Sequence, residues 1–117
     1  MDEMEKIVDQ DLLFDFYGEM LTEHQKRIYR EVVFNDYSVS EVARDEGISR
    51  QGISDMIRRC TKLLAGYEKK LGLVKRFHAQ KQIILKISKL AEQFRKDGKA
   101  DHIEKIAELS KELLKEE

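Results

Sequence analysis

From Ile53 to Leu71 the side chains Ile53, Ile57, Cys60, Leu64, Tyr67 and Leu71 return at steps of 4, 3, 4, 3 and 4. A half-buried strand would place its apolar residues every second position, so this run specifies a long helix with one apolar seam, close to a heptad. The same spacing governs most of the chain. Val8, Leu12, Phe16 and Met20, broadened by Leu13 and Phe14, predict a first helix, and Ile28, Tyr29, Val32 and Val33 a second. Thr22 with Gln25 three residues on has capping-box spacing, and Asn35-Asp36 is turn chemistry.

Ser40 is read as the N-cap of a short third helix with Val42 and Ala43 facing inward and Gly47 as its stop, and Ser49 as the cap of the long fourth. Gly72 marks a break. Beyond it Val74, Phe77, Ile84, Ile87, Ala91 and Phe94 predict a fifth helix, Asp97-Gly98 a turn, and Ile103, Ile106, Ala107, Leu113 and Leu114 a sixth that Asp101 or Lys99-Ala100 opens. The chain has no proline to interrupt these helices. The expected fold is all-α: a helix-turn-helix head over residues 1–72 and a C-terminal helical hairpin over 73–117. Two seamed helices are more than a small head hides easily, so the hairpin either packs on helix four or pairs with a second copy. A homodimer is favoured, since it matches the two-fold symmetry of many operators.

The net charge of −1 conceals a strong polarity. Residues 1–20 hold seven acids against Lys6, whereas residues 40–76 hold nine Lys or Arg against five acids. A basic excess confined to one stretch is what a nucleic-acid surface needs. The single cysteine, Cys60, has no internal partner and points to a reducing compartment. With neither a secretory leader pattern nor a long apolar run, the expectation is a cytoplasmic protein that does not insert in membranes.

The stretch SVSEVARDEGISRQGISDMIRRC, residues 38–60, concentrates the function. A helix-turn-helix needs a short helix, a tight turn and a second helix crossing it. Ala43 is small where the helices approach, Gly47 can take a left-handed backbone, Ile48 can plug the gap and Ser49 caps the second helix. The start of that helix would enter the major groove. Arg50 and Arg58 can fork onto guanine, Gln51 can pair with adenine, Asp55 can accept from the cytosine amino group, and Ser54 lies among them. Ser49 and the helix-start N–H groups suit a phosphate, and Arg59 and Lys62 suit backbone phosphates further along. Gly52, within the first turn, costs about 1 kcal/mol relative to Ala.

The segment LTEHQKRIYREVVFNDYSVSEVARDEGISRQGISDMIRR is similar to the fourth region of bacterial sigma factors. More closely, LLFDFYGEMLTEHQKRIY with DYSVSEVARDEGISRQGISDMIRRCTKLLAGYEKKLGL resembles the YlxM-like family of small bacterial proteins, over about residues 11–76. That resemblance implies a DNA-binding protein and, because such proteins are encoded beside signal recognition particle components, a regulatory or accessory role in that pathway. The implied partners are nucleic acid (duplex DNA ahead of RNA) or the particle's protein and RNA. Sigma factors carry further basic or amide residues where this chain has Gly52, Ser54 and Asp55, whereas Asp55 fits the YlxM-like pattern.

Other chemistry is not expected. His24, His78 and His102 have neither each other nor a second cysteine at ligand spacing, so no metal or cofactor is implied. Asp101, His102 and Glu104 read as an exposed helix start, and Asp9 and Asp11 as helix-start charges. Cys60 reads as a small core residue, no GxxxxGK[ST] is present, and an enzyme is not expected. Phe14, Phe16, Tyr17, Tyr29, Phe34 and Tyr37 could stack bases, but their helical spacing favours packing.

Overall fold

The computed structural model describes residues 3–115, and side chains from Asp9 onward. Six α-helices succeed one another: α1 Glu3–Tyr17, α2 Glu23–Tyr29, α3 Val39–Glu46, α4 Arg50–Leu71, α5 Leu73–Asp97 and α6 Ala100–Lys115. The fold is all-α, with no strand among the described residues. Two compact units meet at Gly72, one ending there and one beginning at Leu73.

In the first unit, α1, α2 and α3 gather around the long α4. α1 gives way to a 3-10 turn, Gly18–Met20, before Thr22 closes the predicted capping box on α2. Thr22 Oγ1 accepts from Gln25 N at 3.1 Å, and Thr22 N donates to Gln25 Oε1 at 3.0 Å. The predicted stripe of α1 holds in part, with Leu12, Leu13 and Phe14 half-buried. Tyr17 and Leu21 are buried, whereas Phe16 and Met20 are exposed, and the burial of Val8 lies outside the described residues. The early start of α1 also places Asp9 and Asp11 inside the helix, not at its beginning.

α2 ends in a π-helical turn, Arg30–Phe34, and Asp36 then takes a left-handed φ of 59°. Phe14, Tyr29 and Phe34 pack together, their centroids separated by 5.2–5.8 Å. Ile28, Val42, Ala43 and Ile53 form the innermost cluster, with Val32, Val39, Ile48, Met56 and Ile57 against it. Tyr17 Oη donates to Glu68 Oε1 at 2.6 Å, tying α1 to α4. Lys26 is buried to 8% exposure, but Glu19 at 3.0 Å and Glu23 at 3.2 Å hold its ammonium and raise its pKa, Glu19 contributing most.

Along α4 the predicted seam is buried at Ile53, Cys60 and Leu64, half-buried at Ile57 and Tyr67, and open at Leu71. Burial pushes the Cys60 thiol up, as expected of a packing residue and not a nucleophile.

In the second unit α5 and α6 form an antiparallel hairpin through Asp97-Gly98. Its apolar faces match the spacing in part, at Val74, Phe77, Ile87, Ile106 and Leu113. Val74, Ile83, Ile87 and Leu90 on α5, and His102, Ile106, Leu109 and Leu113 on α6, are buried or half-buried. Ile84, Ala91, Phe94, Ile103, Ala107 and Leu114 are exposed. His102 is therefore no exposed helix-start residue: its Nε2 lies 2.9 Å from Asp97 Oδ2. No helix described here is long and apolar enough to cross a membrane.

Candidate nucleic-acid interface

α3, a tight turn and α4 build the candidate interface. The cap of α3 is Ser38, two residues before the expected Ser40, so the helix begins at Val39: Ser38 Oγ accepts from Glu41 N at 3.1 Å. Gly47 ends α3 at φ 68°, left-handed, where a Cβ would meet the following carbonyl. Ser49 Oγ then accepts from Gly52 N at 3.0 Å and starts α4. Ser49 is thus engaged as the cap, while the N–H groups of Arg50 and Gln51 belong to the first turn and have no intrahelical acceptor.

Val42 and Ala43 are buried, and Ile48 packs on the cluster they form with Ile28 and Ile53. Ile48 also explains Gly52. A Cβ at residue 52 would stand 2.6 Å from Ile48 Cγ2 and 3.2 Å from Ser49 Oγ. The glycine lets the plug seat against the first turn of α4.

At about 100° per residue, Arg50, Gln51, Ser54, Asp55, Arg58, Arg59 and Lys62 span half the circumference of α4: Gln51, Asp55, Arg58, Arg59 and Lys62 face away from the buried seam, and Arg50 and Ser54 lie at the edge beside it. All are exposed except Ser54, which is half-buried and the least accessible of them. Asp55 is the hub of this face. Its Oδ1 accepts from Gln51 Nε2 at 2.9 Å and pairs with Arg58 Nη2. Both donors converge on this one oxygen of the carboxylate, so Asp55 links Gln51 to Arg58.

At about 1.5 Å per residue, Arg58 stands ~12 Å from Arg50 along the axis, which matches the width of a major groove, about 12 Å. Lys62 lies ~18 Å along. Lys69, exposed on the same side of the helix, was not singled out from the sequence; it lies ~28 Å along. On the flank, Glu46 receives Arg27 Nη2 at 2.6 Å and His24 Nε2 at 3.1 Å, fixing the end of α3 to α2. Arg27 first, then His24, hold the Glu46 carboxyl below its usual range. Among the described residues no group of three or more His, Cys, Asp or Glu is placed to hold a metal.

A capped short helix, a left-handed glycine, an apolar plug and an exposed polar helix face define a helix-turn-helix protein. Residues 4–109 match the family model "Putative helix-turn-helix protein, YlxM / p13 like", and the chain belongs to that family. It is 45% identical to a UPF0122 protein of Acetivibrio thermocellus over 86 residues, 74% of each chain. It is 41% identical to one of Thermoanaerobacter sp. over 97 residues, 83% of each. The UPF0122 protein YlxM of Bacillus subtilis is 38% identical over 88 residues, which is 75% of this chain and 80% of that one.

Proposed function

We propose that this chain is a cytoplasmic DNA-binding regulatory protein that presents the first turns of α4 to the major groove. One observation carries the reading: Gln51 and Arg58 are exposed on the side of α4 away from its buried seam, and Arg50 is exposed at the edge of that face. Ser49 and the first-turn N–H groups meet a phosphate, Arg59 and Lys62 hold phosphates further on, and Gln51 and Arg58 read bases. Half-buried Ser54 sits at the floor of this face. The double variant Arg58→Ala/Arg59→Ala should lose affinity by roughly 5- to 150-fold for the base contact and flatten the log–log salt slope by about 1 for the phosphate contact. Unchanged duplex binding across a salt series would show that α4 is not the reading helix.

A second reading makes the protein an accessory factor of the signal recognition particle, docking on its protein or RNA without reading duplex DNA. It draws on the acidic side of the head, where Asp11 and Asp15 border a hollow with Phe14, Phe34, Arg30 and Asn35 that suits a basic partner. Tight capture of the particle's protein subunit together with no duplex affinity at low salt would favour it.

For the hairpin, the proposed occupant of its groove is a second copy of this chain. Leu90 and Leu109 line the groove, Lys86 and Lys89 border it on α5, and Glu108 and Glu112, with Lys105, border it on α6. Two copies related by a two-fold axis set the lysine rim of one against the glutamate rim of the other.

A further inference from the structure

Resting on the reading of α4 as the DNA-reading helix, we propose that Asp55 sets the specificity of the interface by bracing Gln51 and Arg58 into one unit that reads an adenine and a guanine at neighbouring positions. Gln51 stands one turn before Asp55 and Arg58 one turn after it, and both end on the same carboxylate oxygen. Two donors in reach of one atom lie less than about 6 Å apart, which spans one to two duplex steps of about 3.4 Å.

The brace leaves both side chains the groups that recognition needs. Gln51 uses one Nε2 hydrogen on Asp55 and keeps its Oε1 and second N–H, the acceptor–donor pair that matches adenine N6 and N7. Arg58 uses one Nη2 hydrogen and keeps enough of its five for a fork onto guanine O6 and N7. Without the carboxylate each side chain is long, flexible and equally suited to a phosphate. The negative charge in the middle of the face also works against indiscriminate contact with the phosphate backbone, so Asp55 lowers binding to wrong sequences as it orders the groups that read the right one.

The test uses the full chain. Wild type, Asp55→Ala and Arg58→Lys are each taken through selection from a random duplex pool, and then titrated on a selected and a scrambled duplex at two salt concentrations. Asp55 is exposed, so Asp55→Ala is expected to melt with wild type. Wild type should enrich a guanine and an adenine no more than two steps apart, with discrimination of roughly 5- to 150-fold at each. Asp55→Ala removes the shared acceptor and should bring both preferences close to unity while binding the scrambled duplex at least as tightly as wild type does. Arg58→Lys keeps the charge without the fork, and should lose the guanine preference while retaining the salt slope. If Asp55→Ala enriches the same sequence as wild type, or loses only a cytosine preference, the brace is overturned while DNA reading stands. If wild type enriches nothing, the reading of α4 falls and the brace with it.

Discussion

Ile48 and Gly52 are four residues apart and define each other. Gly52 in a helix costs about 1 kcal/mol relative to Ala, which from the sequence looks like a defect in the reading helix. The structure gives the reason, since a Cβ there would come within 2.6 Å of Ile48 Cγ2. Overpacking of this kind costs about 1–3 kcal/mol, more than the propensity gain in most of that range. Gly52→Ala should therefore destabilise the head by up to about 2 kcal/mol. In an Ile48→Ala background, where the nearer obstruction is gone and only Ser49 Oγ at 3.2 Å remains, the loss should shrink or reverse, by at most the propensity gain of about 1 kcal/mol. Urea denaturation of the four proteins in this cycle checks the coupling, and a loss on Gly52→Ala that is undiminished in the Ile48→Ala background would rule out the clash with Ile48. The identity of the plug, Ile48, was legible in the sequence; its distance from residue 52 was not, because it depends on how the turn at Gly47 aims the side chain. Asp55 is a similar case. Its positions relative to Gln51 and Arg58, i−4 and i+3, allow the shared hydrogen bonds, but spacing alone does not separate a carboxylate that reads a base from one that braces its neighbours.

At the scale of elements, helix ends were more legible than helix faces. Thr22, Gly47, Ser49, Gly72 and Gly98 mark ends where the sequence places them, because caps and left-handed glycines act through local backbone chemistry. The start of α3 was misplaced because SVSE offers two serines; Ser38, three residues before Glu41, wins by the spacing of its bond to that N–H. Faces were harder. α5 carries Ile83, Ile84, Leu85, Ile87, Leu90, Ala91 and Phe94, an apolar arc so wide that periodicity cannot choose the buried side. The π turn at Arg30–Phe34 shifts the register of the chain after α2 and lets Phe34 reach Phe14, a displacement that no 3.6-residue pattern contains. The link between α2 and α3 leads to a pH prediction. Glu46 has its folded pKa depressed, first by Arg27 and then by His24, so its contribution is present above the unfolded value of about 4.3 and is lost as pH falls through the folded one. Glu46→Gln should be less stable than wild type at neutral pH, and the two curves should converge as the solution is acidified past the folded-state value. A gap that stays constant through the acid limb would mean the carboxylate acts by packing alone. Asp97 follows the same sign in the hairpin, held down first by His102 and then by the Lys99 backbone N–H.

For the whole molecule, the uneven charge and the division at Gly72 set which properties can be tested separately. The acidic N-terminal stretch and the basic α4 belong to one unit, whereas the groove rimmed by Lys86, Lys89, Glu108 and Glu112 belongs to the other. The proposed pairing through that groove would depend on opposite charges meeting across a two-fold axis, a signature that simple apolar association lacks. A chain carrying Lys86→Glu and Lys89→Glu has two acidic rims, and a chain carrying Glu108→Lys and Glu112→Lys has two basic ones. Each should sediment as a monomer alone, because like charges then face each other in the symmetric pair. Mixed in equal amounts they should form a heterodimer, because each acidic rim then meets a basic one. Single exposed ion pairs are worth about 0.2–1 kcal/mol, so it is the doubled set in the symmetric pair that makes the swap measurable, and salt above a few tenths molar should weaken it. Both variants leave Arg50, Gln51, Asp55 and Arg58 untouched. Sedimentation velocity of the two proteins, separate and mixed, reads the outcome directly. A wild-type monomer at every concentration, or variants that dimerise alone as well as they do together, would remove the second copy from this groove and leave α4 to bind DNA as a single reading helix.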